Sequence, residues 1–177
     1  ATNHAMRGAK TSGTATSGIV GAANGYDFYA EGQGNYGPFT GAHDALLPNG
    51  HAATLGDILI DGTIVQTKGV SDAIAECSLC NSVGQAGAIG VLAQEIGALS
   101  GAQPAAMIES VAYDSDGHRV VTMAASWHAY KDTHQLIGVN AVGEGLINVC
   151  GRGGNISKGD LIICSDMLGK GQRQGDN

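Results

Sequence analysis

Charge and aromatic rings are both scarce in this 177-residue chain. Only 14% of its residues are charged and 5% are aromatic, with one Trp and two Phe. Basic residues number 9 against 16 acidic ones, for a net charge of −7, and they form no stripe. That excludes nucleic acid and anionic membrane as partners, while leaving open an acidic surface that meets a sugar or a protein. No apolar run reaches transmembrane length, and no basic start leads into a small-residue cleavage site. Membrane insertion is therefore not expected. Leu, Glu and Lys never fall together at helical spacing, which excludes a helical bundle. Four cysteines, at 77, 80, 150 and 164, fit either a reducing compartment or two disulfides.

Glycine is what the chain has in quantity, with 29 residues. Many Gly with few rings and few charges predict a β-rich, turn-rich protein. The bias is strongest over residues 1–37, where Gly, Ala, Ser and Thr dominate. The large apolar side chains there are Met6, Ile19, Val20, Tyr26, Phe28, Tyr29 and Tyr36. Burial of so few side chains does not offset the entropy of ordering the whole segment. It is expected to fold only if copies wrap around one another, small residues letting backbones approach. A flexible arm has the same composition, but the cluster Tyr26-Asp27-Phe28-Tyr29 is foreign to ordinary linkers. The predicted organisation is thus a fibre-like segment, 1–37, followed by a β-rich globular domain, 38–177. The missing initial Met and the ending in Gln-Gly-Asp-Asn are expected of a fragment or a processing product.

Residues 38–50 carry two prolines and a terminal Asn49-Gly50, which predict a turn-bounded connection. Beyond Gly56, short apolar runs alternate with turns. Strands are predicted near 56–60, 63–67, 73–79, 87–92, 106–113, 118–128, 135–142, 145–150 and 160–164. Residues 71–77 and 91–99 could instead hold a helical turn. Asp114-Ser115-Asp116-Gly117 predicts a hairpin turn. Many short strands at close spacing predict a barrel or sandwich. One internal echo supports a barrel: Gly56-Asp57-Ile58-Leu59-Ile60 recurs as Gly159-Asp160-Leu161-Ile162-Ile163. In both, Gly permits a positive-φ backbone and the Asp carboxylate can accept turn N–H groups.

No stretch makes a convincing cofactor site, and none is predicted. Gly32-Gln33-Gly34-Asn35-Tyr36-Gly37 matches G-x-G-x-x-G, but Pro38-Phe39 follows where a helix N-terminus is needed. Cys150-Gly151-Arg152-Gly153-Gly154-Asn155 lacks the Lys-Ser/Thr of a phosphate loop and reads as a turn. Cys77 and Cys80 form a C-x-x-C, half of a zinc site or a redox pair, yet no second C-x-x-C exists. In a strand they point to opposite faces. Ordinary small apolar cysteines are the favoured reading, with metal binding left open. His43, Asp44 and His51 form one histidine set, and His128, Asp132 and His134 another, but neither has a metal-ligand spacing. No G-x-S-x-G elbow accompanies them. Asp114-x-Asp116-Gly117 lacks the further carboxylates of a calcium loop. Asn155-Ile156-Ser157 is a glycosylation sequon that matters only in a eukaryotic secretory setting. No catalytic or metal residue is assigned.

Several strings together resemble the C-terminal part of tail-fibre and appendage proteins of bacteriophages and prophages. They are Asn3-His4-Ala5-Met6-Arg7-Gly8, Gly25-Tyr26-Asp27-Phe28-Tyr29-Ala30, residues 36–46 (YGPFTGAHDAL), residues 85–92 (QAGAIGVL) and residues 140–171. The resemblance implies a repetitive trimeric shaft ending in a compact β domain, in a virion part assembled in the host cytoplasm. It implies as partners two identical chains, other tail proteins and a host-surface glycan or protein. Receptor contacts are unassigned, with Trp127, Tyr130 and Tyr113 the first to test, although burial in a core or interface accounts for each. Two enzymatic readings stand as alternatives. One is a self-cleaving, trimerising chaperone using Ser157-Lys158, Ser165-Asp166 with Lys170 and Arg173, or paired carboxylates. The other is a polysaccharide hydrolase, which needs two carboxylates about 5–10 Å apart. A structural fibre segment without receptor contact is the third alternative.

Overall fold

The computed structural model describes residues 28–30, 34–36, 41–68, 72–142 and 145–175. The chain divides into two compact units, Ala1–Thr40 and Gly41–Asn177. In the first, β1 (Phe28–Ala30) pairs antiparallel with β2 (Gly34–Tyr36), Phe28 opposite Tyr36. Most of the segment expected to be a shaft lies outside the described residues, as do Gly32, Gln33 and Gly37 of the glycine motif.

The second unit is predominantly β, as its composition predicts. A closed barrel forms from β3 (Ala42–Pro48), β4 (Ile58–Lys68), β5 (Asp72–Leu79), β6 (Ala88–Ala98) and β9 (His134–Asn140). Their order around the barrel is β3-β5-β4-β6-β9, with β9 returning antiparallel to β3. Only the β3–β5 seam is parallel, through Leu46 and Glu76. Closure leaves these strands without an open edge. Alternate residues point inward, so Ala45, Leu47, Leu59, Cys77, Leu79, Leu92, Ile137 and Val139 fill the interior. At Gly90, with φ of +151°, an added Cβ would lie 2.1 Å from the Asn140 carbonyl, so the barrel seam needs a residue without one.

Two covers pack on the barrel's outer surface. The first comprises 3-10 turns Leu99–Gly101 and Ala105–Met107, the hairpin β7 (Ile108–Tyr113) and β8 (Arg119–Met123), and helix α1 (Ala125–Tyr130). Leu99, Met107, Ile108 and Met123 bury Leu46, Ile74 and Leu136. Polar stitches fix this cover to β4: Lys68 Nζ donates to the Ile108 carbonyl at 2.7 Å and Ser126 Oγ to Gln66 Oε1 at 2.7 Å. The second cover is the C-terminal tail, whose hairpin joins β10 (Ile162–Cys164) to β11 (Gly171–Arg173). Cys164 there packs on Ile58, Ile60 and Cys80.

Four sequence expectations need correction. Residues 38–50 contain β3, because residues 42–48 pair along their whole length with β9, and the expected turn is confined to Asn49-Gly50. The runs 56–60 and 63–67 are one strand, bulged between Asp61 and Ile64 instead of turning. The stretch 118–128 is strand only to Met123; Ala125–Tyr130 is helical, held by the Trp127 indole donating to the Ala102 carbonyl at 2.9 Å. Residues 145–150 contribute one bridge, Val149 to Gly171, and no strand. The helical options at 71–77 and 91–99 are also set aside: both stretches lie chiefly in β5 and β6.

Candidate functional site

The repeated Gly-Asp opening marks the place where the tail meets the barrel. Gly56 and Gly159 both have positive φ, +88° and +99°. In each turn the Asp carboxylate accepts the N–H three residues back: Asp57 Oδ2 from Thr54 N at 3.0 Å, Asp160 Oδ2 from Ser157 N at 2.7 Å. The tail then supplies a cation to each, Lys170 to Asp57 and Arg173 to Asp160, the second at 3.1 Å.

The two turns differ in burial. Asp57 is 1% exposed, and four donors converge on it. Oδ2 takes Thr54 N and Thr54 Oγ1 (3.1 Å); Oδ1 takes Asn148 Nδ2 at 2.7 Å and the Lys170 ammonium. Burial pushes the carboxyl up, but the bonds from Lys170, Asn148 and Thr54 outweigh it and hold the group below its ordinary value. Gly169 closes over the carboxylate so tightly that an added Cβ would sit 2.8 Å from its Cγ. With both oxygens saturated, Asp57 has no lone pair free for a substrate proton. Its role is to clamp the tail. Backbone bonds complete the clamp: Ile58 N to Gly169 O, Gly169 N to Cys80 O and Asn148 N to Gly56 O, each 2.8 Å.

Beyond the clamp, Ser165 is fully buried. Its Oγ lies 3.1 Å from Cys150 Sγ, donates to Asp166 Oδ1 at 3.2 Å and accepts Met167 N–H at 3.2 Å. Asp166 pairs in turn with Arg152 at 2.6 Å. The Ser165 hydroxyl and the Arg152 backbone N–H hold the half-exposed Cys150 thiol below its ordinary value. Lys170 is committed to Asp57, so Ser165 and Lys170 do not form a dyad. Ser157 and Lys158 are both exposed.

The other sequence candidates scatter. His43, Asp44 and His128 are exposed, whereas His134 is buried, 3.3 Å from Glu76 and with its ring tilted 52° against that of Tyr130. Asp132 pairs with Lys131 at 2.5 Å. Asp114, Asp116 and His118 draw together in the predicted hairpin turn, but Asp114 Oδ1 already accepts the N–H groups of residues 116 and 118. Cys77 faces the barrel interior and Cys80 the tail, as opposite strand faces require. Burial, then Asp61 and Glu76, pushes the Cys77 thiol up to about 12. Trp127 and Tyr130 are half-buried within the first cover, while Tyr113 is 70% exposed.

Two features go beyond the sequence reading, which anticipated the hairpin but not its exposure. The hairpin β7–β8 is exposed at every residue from Glu109 to Val120. Its register puts Val111 opposite Val121 and Ala112 opposite Val120, so both faces carry apolar groups. The second is the tail, where Leu146 (87%) and Leu161 (68%) stand in solvent near a groove of about 410 Å³ lined by Ile58, Val91, Ile147, Ile162 and Ile163. The turn Asp114-Ser115-Asp116-Gly117 was the visible signal for the hairpin, but nothing local marks what lies beyond it. Compared with known proteins, the chain matches no family model, no curated sequence and no solved structure.

Proposed function

We propose that this chain is a non-catalytic structural component of a bacteriophage tail fibre, carrying or forming its distal receptor-binding end as a homotrimer. Residues 1–37 serve as the last stretch of an intertwined shaft, and the barrel unit is the compact β domain behind or at the tip. Its place is the tail of the virion. Its partners are two identical chains, other tail proteins and a glycan or protein of the host surface.

The observation that carries this reading is the exposed apolar surface of a barrel whose core is already complete. Val111, Tyr113, Val120, Val142, Leu146 and Leu161 are each at least 45% exposed, although the interior and both covers close without them. Val111, Tyr113 and Val120 share one hairpin, and apolar side chains gathered there are the kind of surface through which a domain associates. The resemblance of the sequence to phage appendages supplies the kind of association. Threefold repetition then turns weak individual contacts with a repeated surface ligand into avidity through effective concentration.

Light scattering on the full chain and on a form lacking residues 1–37 tests assembly. The expected mass of the full chain is that of three copies; a monomer in both forms sinks the reading. Purified trimer is further expected to block adsorption of a phage bearing the same fibre to susceptible cells. A trimer that neither binds nor protects them would leave a fibre segment without receptor contact.

A further inference from the structure

The strongest remaining feature is a pair of thiols that the fold brings together across 84 positions of sequence. Cys80 leaves the end of β5 and Cys164 ends β10. They are 0% and 4% exposed, in a small cluster with Ile58 and Ile60. The backbone brackets them on both sides. Gly169 N donates to the Cys80 carbonyl at 2.8 Å, and Gly84 N to the Cys164 carbonyl at 2.9 Å. Cys80 Sγ lies 3.4 Å from the Lys170 carbonyl, which also accepts the Ser165 N–H at 2.8 Å, next to Cys164 in the chain.

We propose that Cys80 and Cys164 are a site of oxidative modification, closing to a disulfide that fastens the C-terminal tail to the barrel. The oxidant is a small-molecule disulfide such as oxidised glutathione. Cys164, the less buried thiol, attacks one oxidant sulfur as thiolate and displaces the other half as a thiolate. Cys80 then attacks the Cys164 sulfur in the mixed disulfide and displaces the second half. The chain gives up two protons and two electrons, and the oxidant leaves as two thiols. Burial, then Cys164, pushes the Cys80 thiol up to about 11, so the step is slow in the closed tail and proceeds when β10 and β11 lift. Equilibrium is the better measure than rate. Cys150 does not compete for the bridge, because its sulfur faces Ser165. Cys77 points into the barrel.

The test is equilibration of the full chain in glutathione buffers from reducing to oxidising, then acid quench, alkylation in denaturant and peptide mapping. The expected oxidised product has lost two hydrogen masses, keeps Cys77 and Cys150 alkylatable and maps a single bridge between residues 80 and 164. A bridge closing so long a loop should also raise Tm by on the order of 10 °C. Cys164→Ser is expected to lose both the bridge and the Tm difference between oxidising and reducing buffer. Four alkylated thiols in the oxidised sample, glutathione on Cys150 alone, or a bridge using Cys77 or Cys150 would each overturn the assignment. So would a Cys164→Ser chain that still gains the Tm increment. Should that variant not fold, the wild-type map decides by itself.

Discussion

Replacing Asp57 with alanine would leave the Lys170 ammonium, the Asn148 amide and the Thr54 N–H facing a gap at the junction of tail and barrel. Removing one partner of a buried pair costs about 3–5 kcal/mol, because the groups left behind lose both water and partner. Urea denaturation of Asp57→Ala should show a loss in that range, whereas an unchanged midpoint would make the clamp energetically idle. The same carboxyl sets an acid limit. Its folded value lies below the ordinary carboxylate value, so its contribution is full well above that ordinary value and is lost as pH falls through the folded one. Between about pH 6 and pH 3, the stability gap between the native chain and Asp57→Asn should therefore shrink. A gap that widened on acidification would contradict the direction of the shift. Gly169 gives a third residue-level check. Its φ is +73° and a Cβ there would meet Asp57 at 2.8 Å, whereas Gly154, at φ +85°, has nothing within 4 Å. Gly154→Ala should cost about 1 kcal/mol from backbone conformation alone, and Gly169→Ala clearly more.

At the scale of elements, the same pentapeptide pattern behaves in two ways, and this shows what the sequence could and could not tell. Ile58, Leu59 and Ile60 are all buried because β4 there has the barrel interior on one side and the tail on the other. Their continuous apolar run is the expected mark of a strand covered on both faces. Leu161, Ile162 and Ile163 read much the same, yet they lead into a two-stranded hairpin where Ile162 and Ile163 are only half-buried and Leu161 is 68% exposed. The pattern announces burial without naming the covering element. Positive-φ glycines and the Asp caps were legible, since they depend on neighbours within three residues. The donors Asn148 and Lys170 were not, because they arrive from 91 and 113 positions away. The helix Ala125–Tyr130 was hidden for a related reason: its apolar residues continue the β8 run, and the Ala102 carbonyl that accepts from the Trp127 indole comes from 25 positions away. The hairpin β7–β8 allows an element-level test. Val111→Thr with Val120→Thr keeps β-branching and removes apolar surface from residues already 45% and 48% exposed. Denaturation of the barrel unit should shift by no more than about 0.5 kcal/mol. If the hairpin seats a neighbouring copy, the sedimentation coefficient of the double variant should fall towards the monomer's. Unchanged assembly would exclude the hairpin from the interface.

For the whole molecule, charge and apolar surface act in opposite senses, and salt separates them. Each chain carries a net −7, so gathering three of them places like charges within a few nanometres and opposes assembly. The association surface proposed above consists of valine, leucine and tyrosine side chains, whose attraction does not depend on ionic screening. Raising the ionic strength from about 0.01 M to 0.1 M shortens the Debye length from about 30 Å to 10 Å. That removes most of the repulsion between exposed carboxylates on different copies. The ion pairs within each chain respond less where they are buried, as at Asp57 and Lys170. Added sodium chloride should therefore shift the monomer–trimer equilibrium of dilute protein towards trimer, as measured by sedimentation velocity across that range. An interface built on complementary charges would respond the other way, and dissociation on adding salt would exclude the apolar surface as the seat of assembly.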